Sequence, residues 1–211
     1  MTPLLALLCF LFFQNTFAQT EQNDLSVHLG AVTIPSFDQQ KIGVDISFRY
    51  YFTDAFSGGL GFSTASPRFN KGFGFDTDRT LINMYAINIP MQYDVINTEK
   101  FSLGLGFSNG LLLNILRNRN ETTEQEHWDP DTGIGTSWNV PKRLKTDSYY
   151  ILTPYAEASY KLFTIDSNDP TFLFLTGKIG YQNVFGNGQF SKSNDFRNYI
   201  LSLGLTIKGP L

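Results

Sequence analysis

Charged residues and cysteine are both scarce in this sequence of 211 residues. Lys, Arg, Asp and Glu together make up 17% of the chain, whereas a soluble domain usually carries about a quarter of such residues. The formal net charge is -3 and the pI is about 5.3, so the chain lacks the basic footprint of a nucleic-acid-binding protein. The negative net charge argues against a nucleic-acid partner. The scarcity of charged residues is typical of a protein whose outer wall faces lipid.

Cys9 is the only cysteine, and it lies within the apolar run Leu4–Phe13. That run is about ten residues long, whereas a transmembrane helix needs about twenty. Because the Thr-Phe-Ala string at 16–18 offers a small-x-small cleavage motif, residues 1–18 are predicted to be a secretory signal peptide. Residues 19–211 would then form a single barrel domain without cysteine, which excludes a disulfide, a thiol nucleophile and a thiolate metal site.

Sustained helical periodicity is also missing, and a period of two takes its place. Residues 41–63 hold two alternating segments joined by the turn 53–55, with apolar side chains such as Phe48 at every second position. Alternation of this kind predicts β-strands with one apolar and one polar face. An even number of strands is what a closed antiparallel barrel in a membrane requires. Eight strands are predicted, at 25–34, 42–52, 59–63, 85–95, 101–114, 150–162, 173–182 and 199–208.

The composition of the polar face indicates which side of each predicted strand points outward. This face consists mainly of Gly, Ser, Thr and Asn with scattered charges, whereas a hydrated exterior usually carries Lys and Glu freely. Small residues fit the narrow interior of an eight-stranded barrel, and closure satisfies every backbone hydrogen bond in lipid. The predicted fold is therefore an all-β, eight-stranded antiparallel up-and-down transmembrane β-barrel. The alternative is a soluble periplasmic β-barrel that binds an apolar ligand, with the apolar face pointing inward.

The connections between the predicted strands alternate between short and long. Outer-membrane barrels keep short turns on the periplasmic side and long loops outside, so both termini are predicted to be periplasmic. Residues 117–147, the longest irregular segment, are then predicted to lie at the cell surface. Pro90 and Pro154 fall within predicted strands, where a bulge or local bend is expected because proline donates no ladder hydrogen bond. Aromatic residues near strand ends predict two aromatic girdles, formed by Tyr50, Phe52, Tyr93, Phe101, Tyr149, Phe163, Tyr181 and Tyr199.

Charged residues on the predicted inward face form the first candidate site. They are Asp45, Arg49, Glu157, Lys161 and Lys178. Because an isolated buried charge is costly, these residues are predicted to pair in a salt-bridge network that fills the lumen. The alternative, an ion pathway, needs more room for water than an eight-stranded lumen offers.

An acidic and aromatic segment of the predicted surface loop forms the second candidate site. His127, Trp128, Asp129, Asp131 and Trp138 are the candidates for contact with a protein or glycan partner. The alternative is that the two tryptophans pack this loop onto the barrel rim. The Asp-x-Asp-x-Gly string within it echoes the start of a calcium loop, but the later ligands and the distal glutamate are missing, so neither a metal nor a cofactor is expected.

Catalysis is not expected from this sequence. His28 and His127 are the only histidines, and no Ser and acidic partner can be nominated for a nucleophilic site. The Gly-x-Gly strings at 59–61 and 104–106 lie on the inward face with no helix after them, so they indicate barrel packing rather than a phosphate loop. A lipid-modifying enzyme at the barrel rim remains the alternative from another functional class.

Three stretches resemble a known family. GVDISFRYYFTDAFSGGLGFS at 43–63, INIPMQYDV at 87–95 and FSLGLGFSNGLLL at 101–113 resemble the small outer-membrane β-barrels widespread in Bacteroidetes, often labelled PorT-like. The resemblance covers nearly the whole mature chain and implies an OmpA- or OmpX-like barrel in the outer membrane, although most members have no assigned activity. It implies a structural or interaction role through surface loops, for instance as an accessory subunit of an envelope or secretion complex. The implied partners are outer-membrane lipid and an envelope protein. Residues 208–211 depart from the terminal aromatic that many barrels carry.

Overall fold

The computed structural model describes residues 24–37, 39–129, 134–166 and 170–210, so the predicted signal peptide at 1–18 lies outside the described residues. A short 3-10 helix, Ser193–Phe196, precedes the last strand. Within the described ranges, no helix is long and apolar enough to cross a membrane. The strands in chain order are β1 Asp24–Ser36, β2 Gln39–Tyr51, β3 Phe56–Ala65, β4 Arg68–Phe69, β5 Thr80–Asn97, β6 Phe101–Asp129, β7 Ile134–Asp166, β8 Thr171–Phe185 and β9 Asn198–Pro210.

Eight of these strands form a closed ring. The hydrogen-bonded order is β3-β2-β1-β9-β8-β7-β6-β5, and a further pairing of β3 with β5 joins the first strand to the last. Every pair in the ring is antiparallel. The two-residue strand β4 pairs with β5 beside the ring. The predicted eight-stranded antiparallel up-and-down barrel is confirmed.

The barrel wall is apolar outside and polar inside. Phe48, Leu105 and Leu203 lie in the middle of strands, yet they are 51%, 55% and 61% exposed. Asp45, on the inward face of the same strand as Phe48, is only 4% exposed. A soluble barrel would show the reverse, because burial of apolar surface is the main force that holds a water-soluble fold together. The polarity is that of a transmembrane β-barrel.

The two ends of the barrel differ in their connections. β1 begins and β9 ends at the same end, where Asp24 pairs with Pro210. The connections β2–β3, β5–β6 and β7–β8 lie at this end, which we call the turn end. The connections β1–β2, β3–β5, β6–β7 and β8–β9 lie at the opposite end, which we call the loop end.

The prediction that residues 117–147 are irregular is wrong. Strands β6 and β7 run through this segment and pair with each other as far as Asp129 and Ile134. Beyond the barrel, residues 122–129 pair with residues 134–141 alone, and we call this two-stranded projection the ribbon. Polar residues dominate both arms, so the ribbon has no apolar face whose alternation would reveal a strand in the sequence.

The two prolines within strands do not produce the expected bulges. Pro90 pairs with Ser108 and Pro154 pairs with Phe107, both in unshifted register. On the other side of each strand the hydrogen-bond ladder is interrupted, next to Pro90 against β3 and next to Pro154 against β8. The register is the same before and after each gap. The missing proline N–H therefore removes hydrogen bonds locally and leaves the register of the strands unchanged.

The barrel interior changes character along its axis. The half at the turn end is polar and charged, whereas the half at the loop end holds an apolar cluster that we call the plug. The expectation that small and ionic groups fill the whole interior is wrong for the half at the loop end. Tyr149 was predicted for an aromatic girdle, but it is buried in the plug. Its members are Val32, Ile34, Ala65, Phe69, Ile82, Met84, Ala86, Leu112, Leu116, Tyr149, Ile151, Val184, Phe190 and Phe196, with Phe37, Phe73 and Leu144 packed against them.

Candidate functional site

A buried ion pair spans the lumen between β2 and β7. The Arg49 guanidinium lies 2.5 Å from a Glu157 carboxylate oxygen, and the two side chains are 4% and 9% exposed. Arg49 also donates to the side-chain oxygen of Gln92 on β5. Charge-assisted hydrogen bonds of this kind are about twice as strong as neutral ones. One arginine therefore links three strands that are distant in sequence.

The network continues from Gln92 along β5 towards the turn end. Gln92 Nε2 donates to Asp94 Oδ1 at 2.7 Å, and the Tyr51 hydroxyl donates to Asp94 Oδ2 at 3.3 Å. The ammonium of Lys208, on β9, lies 3.8 Å from the centre of the Tyr51 ring. The same ammonium lies 3.8 Å from a carboxylate oxygen of Asp24. Asp94 and Lys208 are thus each met by a charge or a donor from another strand.

A second ion pair lies on the other side of the lumen. Lys178 Nζ donates to Asp45 Oδ2 at 2.8 Å, and Ser202 Oγ donates to the same oxygen at 3.3 Å. His28 Nδ1 lies 3.0 Å from Thr206 Oγ1, and its Nε2 lies 3.5 Å from Ser202 Oγ. This is not the arrangement of a catalytic triad, since the carboxylate bonds to the serine, and the second nitrogen of the histidine meets Thr206 instead of a carboxylate.

Lys161 lies apart from the other four predicted lumen residues. Its ammonium is 3.6 Å from an oxygen of the exposed Glu99 and 3.9 Å from the centre of the Phe172 ring. Both partners belong to the turn end, where Lys161 follows the last inward positions of β7. Asp45, Arg49, Glu157 and Lys178 thus form the two lumen pairs, while Lys161 pairs at the rim.

Glycines on the inward face make room for the network. A Cβ on Gly106 would lie 2.7 Å from the Tyr155 ring, and one on Gly104 would overlap the Gln92 side chain. Contacts this short do not occur between real Cβ atoms and their neighbours, so a larger residue would displace the network. The Gly-x-Gly string at 104–106 therefore packs against polar side chains in the barrel.

A cavity of about 40 Å³ lies between the charged half and the plug. Both lumen ion pairs line it, together with apolar plug residues such as Val32 and Ile151. A cavity of this size holds about two or three water molecules. Among the described residues, no group of three or more His, Cys, Asp or Glu side chains is placed to hold a metal ion.

Asp147 fixes the β8–β9 connection over the loop end of the lumen. Its buried carboxylate accepts hydrogen bonds from the backbone N–H groups of Gln189, Phe190 and Ser191 at 2.8, 3.1 and 3.2 Å. The Ser191 hydroxyl donates to it at 2.9 Å, and the Tyr149 hydroxyl donates to the Ser191 carbonyl oxygen at 2.8 Å. We call this arrangement the Asp147 latch. It holds Phe190 in the plug.

The ribbon carries the second predicted site. Trp138 is 48% exposed and pairs with Gln125 across the ribbon, so it does not pack the segment onto the barrel rim. His127, Trp128 and Asp129 lie at the end of the β6 arm, paired with Thr136, Gly135 and Ile134. Asp131 lies outside the described residues. The other four predicted interaction residues are therefore carried on a two-stranded projection rather than on an irregular loop.

Sequence reasoning missed several members of the lumen network. Gln92 and Asp94 stand on the predicted inward face of their strand, so the period of two was a sufficient signal for their position. Tyr51 likewise stands on the predicted polar face of its strand, and its hydroxyl points to a buried carboxylate. Asp147 was placed in an irregular segment, where no local signal indicates the bonds that it makes some forty residues along the chain.

No protein-family model matches the chain, and no curated protein sequence matches it. Its fold is similar to that of two solved structures. One is the attachment invasion locus protein Ail of Yersinia pestis, in complex with the heparin analogue sucrose octasulfate, with 13% identity over 90% of this chain and 99% of that chain and a TM-score of 0.48. The other is Neisserial surface protein A, NspA, with 12% identity over 89% of this chain and 96% of that chain and a TM-score of 0.51. At this identity the likeness to NspA is a likeness of fold.

Proposed function

We propose that this chain is an outer-membrane β-barrel whose role is structural or interactive and is exerted through the ribbon at the cell surface. The observation that carries the proposal is the inverted polarity of the wall. Apart from Asn109, the outward positions of β6 from Leu103 to Leu113 are all apolar, and this span corresponds to about 26 Å along the axis of a barrel whose strands tilt by about 40°. This matches the apolar band of about 25 Å that outer-membrane barrels present to lipid. The fold that the chain shares with Neisserial surface protein A is consistent with this location.

The orientation follows from the two ends of the barrel. Short turns of outer-membrane barrels face the periplasm and long connections face outward. Asp24 and Pro210, the first and the last of the described residues, lie at the turn end, so we place both termini in the periplasm and the ribbon outside the cell. A protease added to intact cells is expected to cut the ribbon and to leave the turn end uncut.

The filled lumen argues against a transport role. Ion pairs close the half at the turn end, and the plug with the Asp147 latch closes the half at the loop end. Bilayer recordings of the purified chain are expected to give no stable ohmic channel. A stable conductance would contradict this part of the proposal.

We further propose that the protein is not an enzyme. His28 is buried within the lumen, and its hydrogen bonds lack the order that activates a serine. The competing proposal, a lipid-modifying enzyme at the rim, predicts that replacing His28 and His127 together changes the mass spectrum of lipid A. An unchanged spectrum would reject the enzyme.

The ribbon is the element best suited to bind a partner. It extends for eight residues on each arm, about 25 Å of strand, and in the described part of the chain neither outer edge pairs with a further strand. Exposed strand edges can accept an extended segment of another protein by strand addition. We propose that His127, Trp128, Asp129, Asp131 and Trp138 contact an envelope protein there, and the PorT-like resemblance makes a secretion complex the specific candidate.

Membrane insertion can be tested by washing membranes with carbonate and by comparing heated and unheated samples on gels. The barrel is expected to stay in the membrane and to change mobility on heating. Release by carbonate would reject the proposal in favour of the soluble barrel that binds an apolar ligand.

The role of the ribbon can be tested by co-purification from native membranes in mild detergent. Trp138→Ala is expected to lose a partner that the unaltered chain retains. Phe75→Ala is the matched control, since Phe75 is an exposed aromatic on another connection at the same end. Equal recovery of the partner with both variants would contradict a binding role for the ribbon.

A further inference from the structure

Three arginines lie in one row across the outer wall at the loop end. Arg68 of β4 pairs with Leu81 of β5, Leu81 pairs with Arg117 of β6, and Arg117 pairs with Arg143 of β7. Neighbouring strands are about 5 Å apart, so the backbone positions of the row extend over about 15 Å. We call these three residues the arginine row.

The arginine row belongs to the outward face. Thr80 and Ile82, on either side of Leu81, are fully buried in the barrel, so Leu81 and its cross-strand partners point the other way. Arg68 and Arg143 are exposed and Arg117 is half-buried. Towards the turn end the same face continues on β6 with Ile115, Leu113 and Leu111. The row therefore borders the apolar band.

The charges of the row are not neutralised within the protein. Among the described residues, none of the three arginines takes part in a salt bridge. Like charges directly opposite each other on neighbouring strands destabilise a sheet, and Arg117 and Arg143 are such a pair. Arg117 is held in position by a hydrogen bond of 3.0 Å to the Pro141 carbonyl oxygen. An anion from outside the chain that lies between the two guanidinium groups would turn this repulsion into attraction.

Nearby carboxylates have other partners. Glu121 lies 2.7 Å from the ammonium of Lys142, and Asp78 accepts a hydrogen bond of 2.6 Å from the Asn120 amide. Two more arginines lie one step further from the apolar band, where the Arg119 N–H donates to the Arg79 carbonyl oxygen at 3.0 Å. Five arginines thus lie near this border, together with the carboxylates of Asp78 and Glu121.

We propose that the arginine row binds phosphate groups of lipid headgroups in the leaflet at the loop end. The inference rests on the proposed membrane location. Phosphate is the anion class that the planar guanidinium recognises with two parallel hydrogen bonds, and cations at a membrane border attract anionic lipid. The position beside the apolar band favours a lipid over a soluble anion, because the acyl chains and the headgroup of one molecule meet both surfaces.

The test uses the purified full chain in non-ionic detergent and native mass spectrometry with lipid A that carries two, one or no phosphates. The double variant Arg117→Gln/Arg143→Gln is expected to lower the affinity for the diphosphorylated form about tenfold or more, the order expected when two basic contacts to anionic lipid are removed. Lys100→Gln/Lys192→Gln is the matched control, since it removes the same charge from exposed residues elsewhere. The unaltered chain and both variants are expected to bind the phosphate-free form weakly and with equal affinity.

Three results would overturn the inference. The row variant could bind as tightly as the unaltered chain, the control could lose as much affinity, or excess inorganic phosphate could displace the lipid. The first result would show that the arginine row does not bind the lipid. The second would show that only net charge matters, and the third would indicate a site for a free anion. Failure of the membrane location is a separate outcome, because a chain that carbonate releases from membranes rejects the proposed function before any lipid is added.

Discussion

The two halves of the barrel interior are filled by different chemistry, although the same alternate positions of the same strands supply both. On β5 the inward residues at the loop end are Ile82 and Met84, and those at the turn end are Gln92 and Asp94. The charged half is held together by strands alone, through pairs such as Arg49 with Glu157. The plug also needs the connections, since Phe190 and Phe196 enter it from the segment between β8 and β9. One half is thus held together by polar contacts between strands, and the other half is a small hydrophobic core.

This difference has a physical consequence for how each half fails. A buried ion pair adds little net stability, but removal of one partner leaves an uncompensated charge. A plug residue contributes through burial and close packing, so its removal costs in proportion to the cavity that it leaves. The turn end should therefore be sensitive to unpaired charge, and the loop end should be sensitive to lost volume.

The largest effect is expected from Arg49→Leu in the charged half. Glu157 and Gln92 then lose their shared partner, and the free energy of unfolding should fall by about 3–5 kcal/mol. Denaturant unfolding of the barrel in detergent micelles, followed by the mobility shift on gels, measures this. The double variant Arg49→Leu/Glu157→Leu should recover much of the loss, because no charge remains unpaired.

The control for that experiment is the exposed pair formed by Lys142 and Glu121, whose side chains are each 53% exposed. Lys142→Leu should cost less than about 1 kcal/mol, because water screens such a pair. Equal losses for Arg49→Leu and Lys142→Leu would mean that the lumen pair contributes no more than a surface pair.

A somewhat smaller effect is expected from Phe196→Ala in the plug. Phe196 is fully buried and its ring lies 5.3 Å from that of Phe37 and 5.5 Å from that of Tyr149. The lost contacts and the remaining cavity should lower the free energy of unfolding by about 3 kcal/mol. Phe75→Ala, at an exposed aromatic, should cost less than about 1 kcal/mol, and an equal loss at both positions would contradict the plug as a packed core.

The smallest and most local effect is expected from Asp147→Asn in the latch. The amide keeps one acceptor oxygen and loses the charge, so the bonds to Gln189, Phe190 and Ser191 should weaken by about 2 kcal/mol in total. Hydrogen exchange of these three amides should become faster, while exchange in the charged half should not change. Ser191→Ala removes only the hydroxyl donor and should have a smaller effect. Uniformly faster exchange over the whole barrel would show that the two halves unfold as one unit.

The strand count and the polarity of the wall could be predicted from alternation alone. Phe48 and Asp45 lie on opposite faces of one strand. A long apolar face without charges suits lipid and does not suit water. The plug could not be predicted in this way. Leu112 stands between Leu111 and Leu113, and a run that is apolar on both faces carries no period from which an inward residue can be distinguished.

The ribbon and the latch were missed for a related reason. Hydrophobic alternation marks a strand only where one face meets an apolar medium, and both faces of the ribbon meet solvent. The pairing of Glu124 with Asn139 depends on backbone hydrogen bonds, which do not depend on side-chain polarity. Asp147 likewise acts on backbone groups of a distant connection, and no local pattern indicates which backbone groups a carboxylate will meet.

The sequence by itself determined the number of membrane strands and which face of each strand looks outward, because both depend on neighbouring residues along the chain. The tertiary structure alone decided which charges meet in the lumen, where the interior becomes apolar, and that Arg68, Arg117 and Arg143 share one row. These features depend on the register between strands, and register is set by the closure of the whole ring. Arg117 faces Arg143 only because the register of β6 against β7 shifts between Leu116 and Arg117. A further shift of one residue there, or between β5 and β6, would move the arginines out of line.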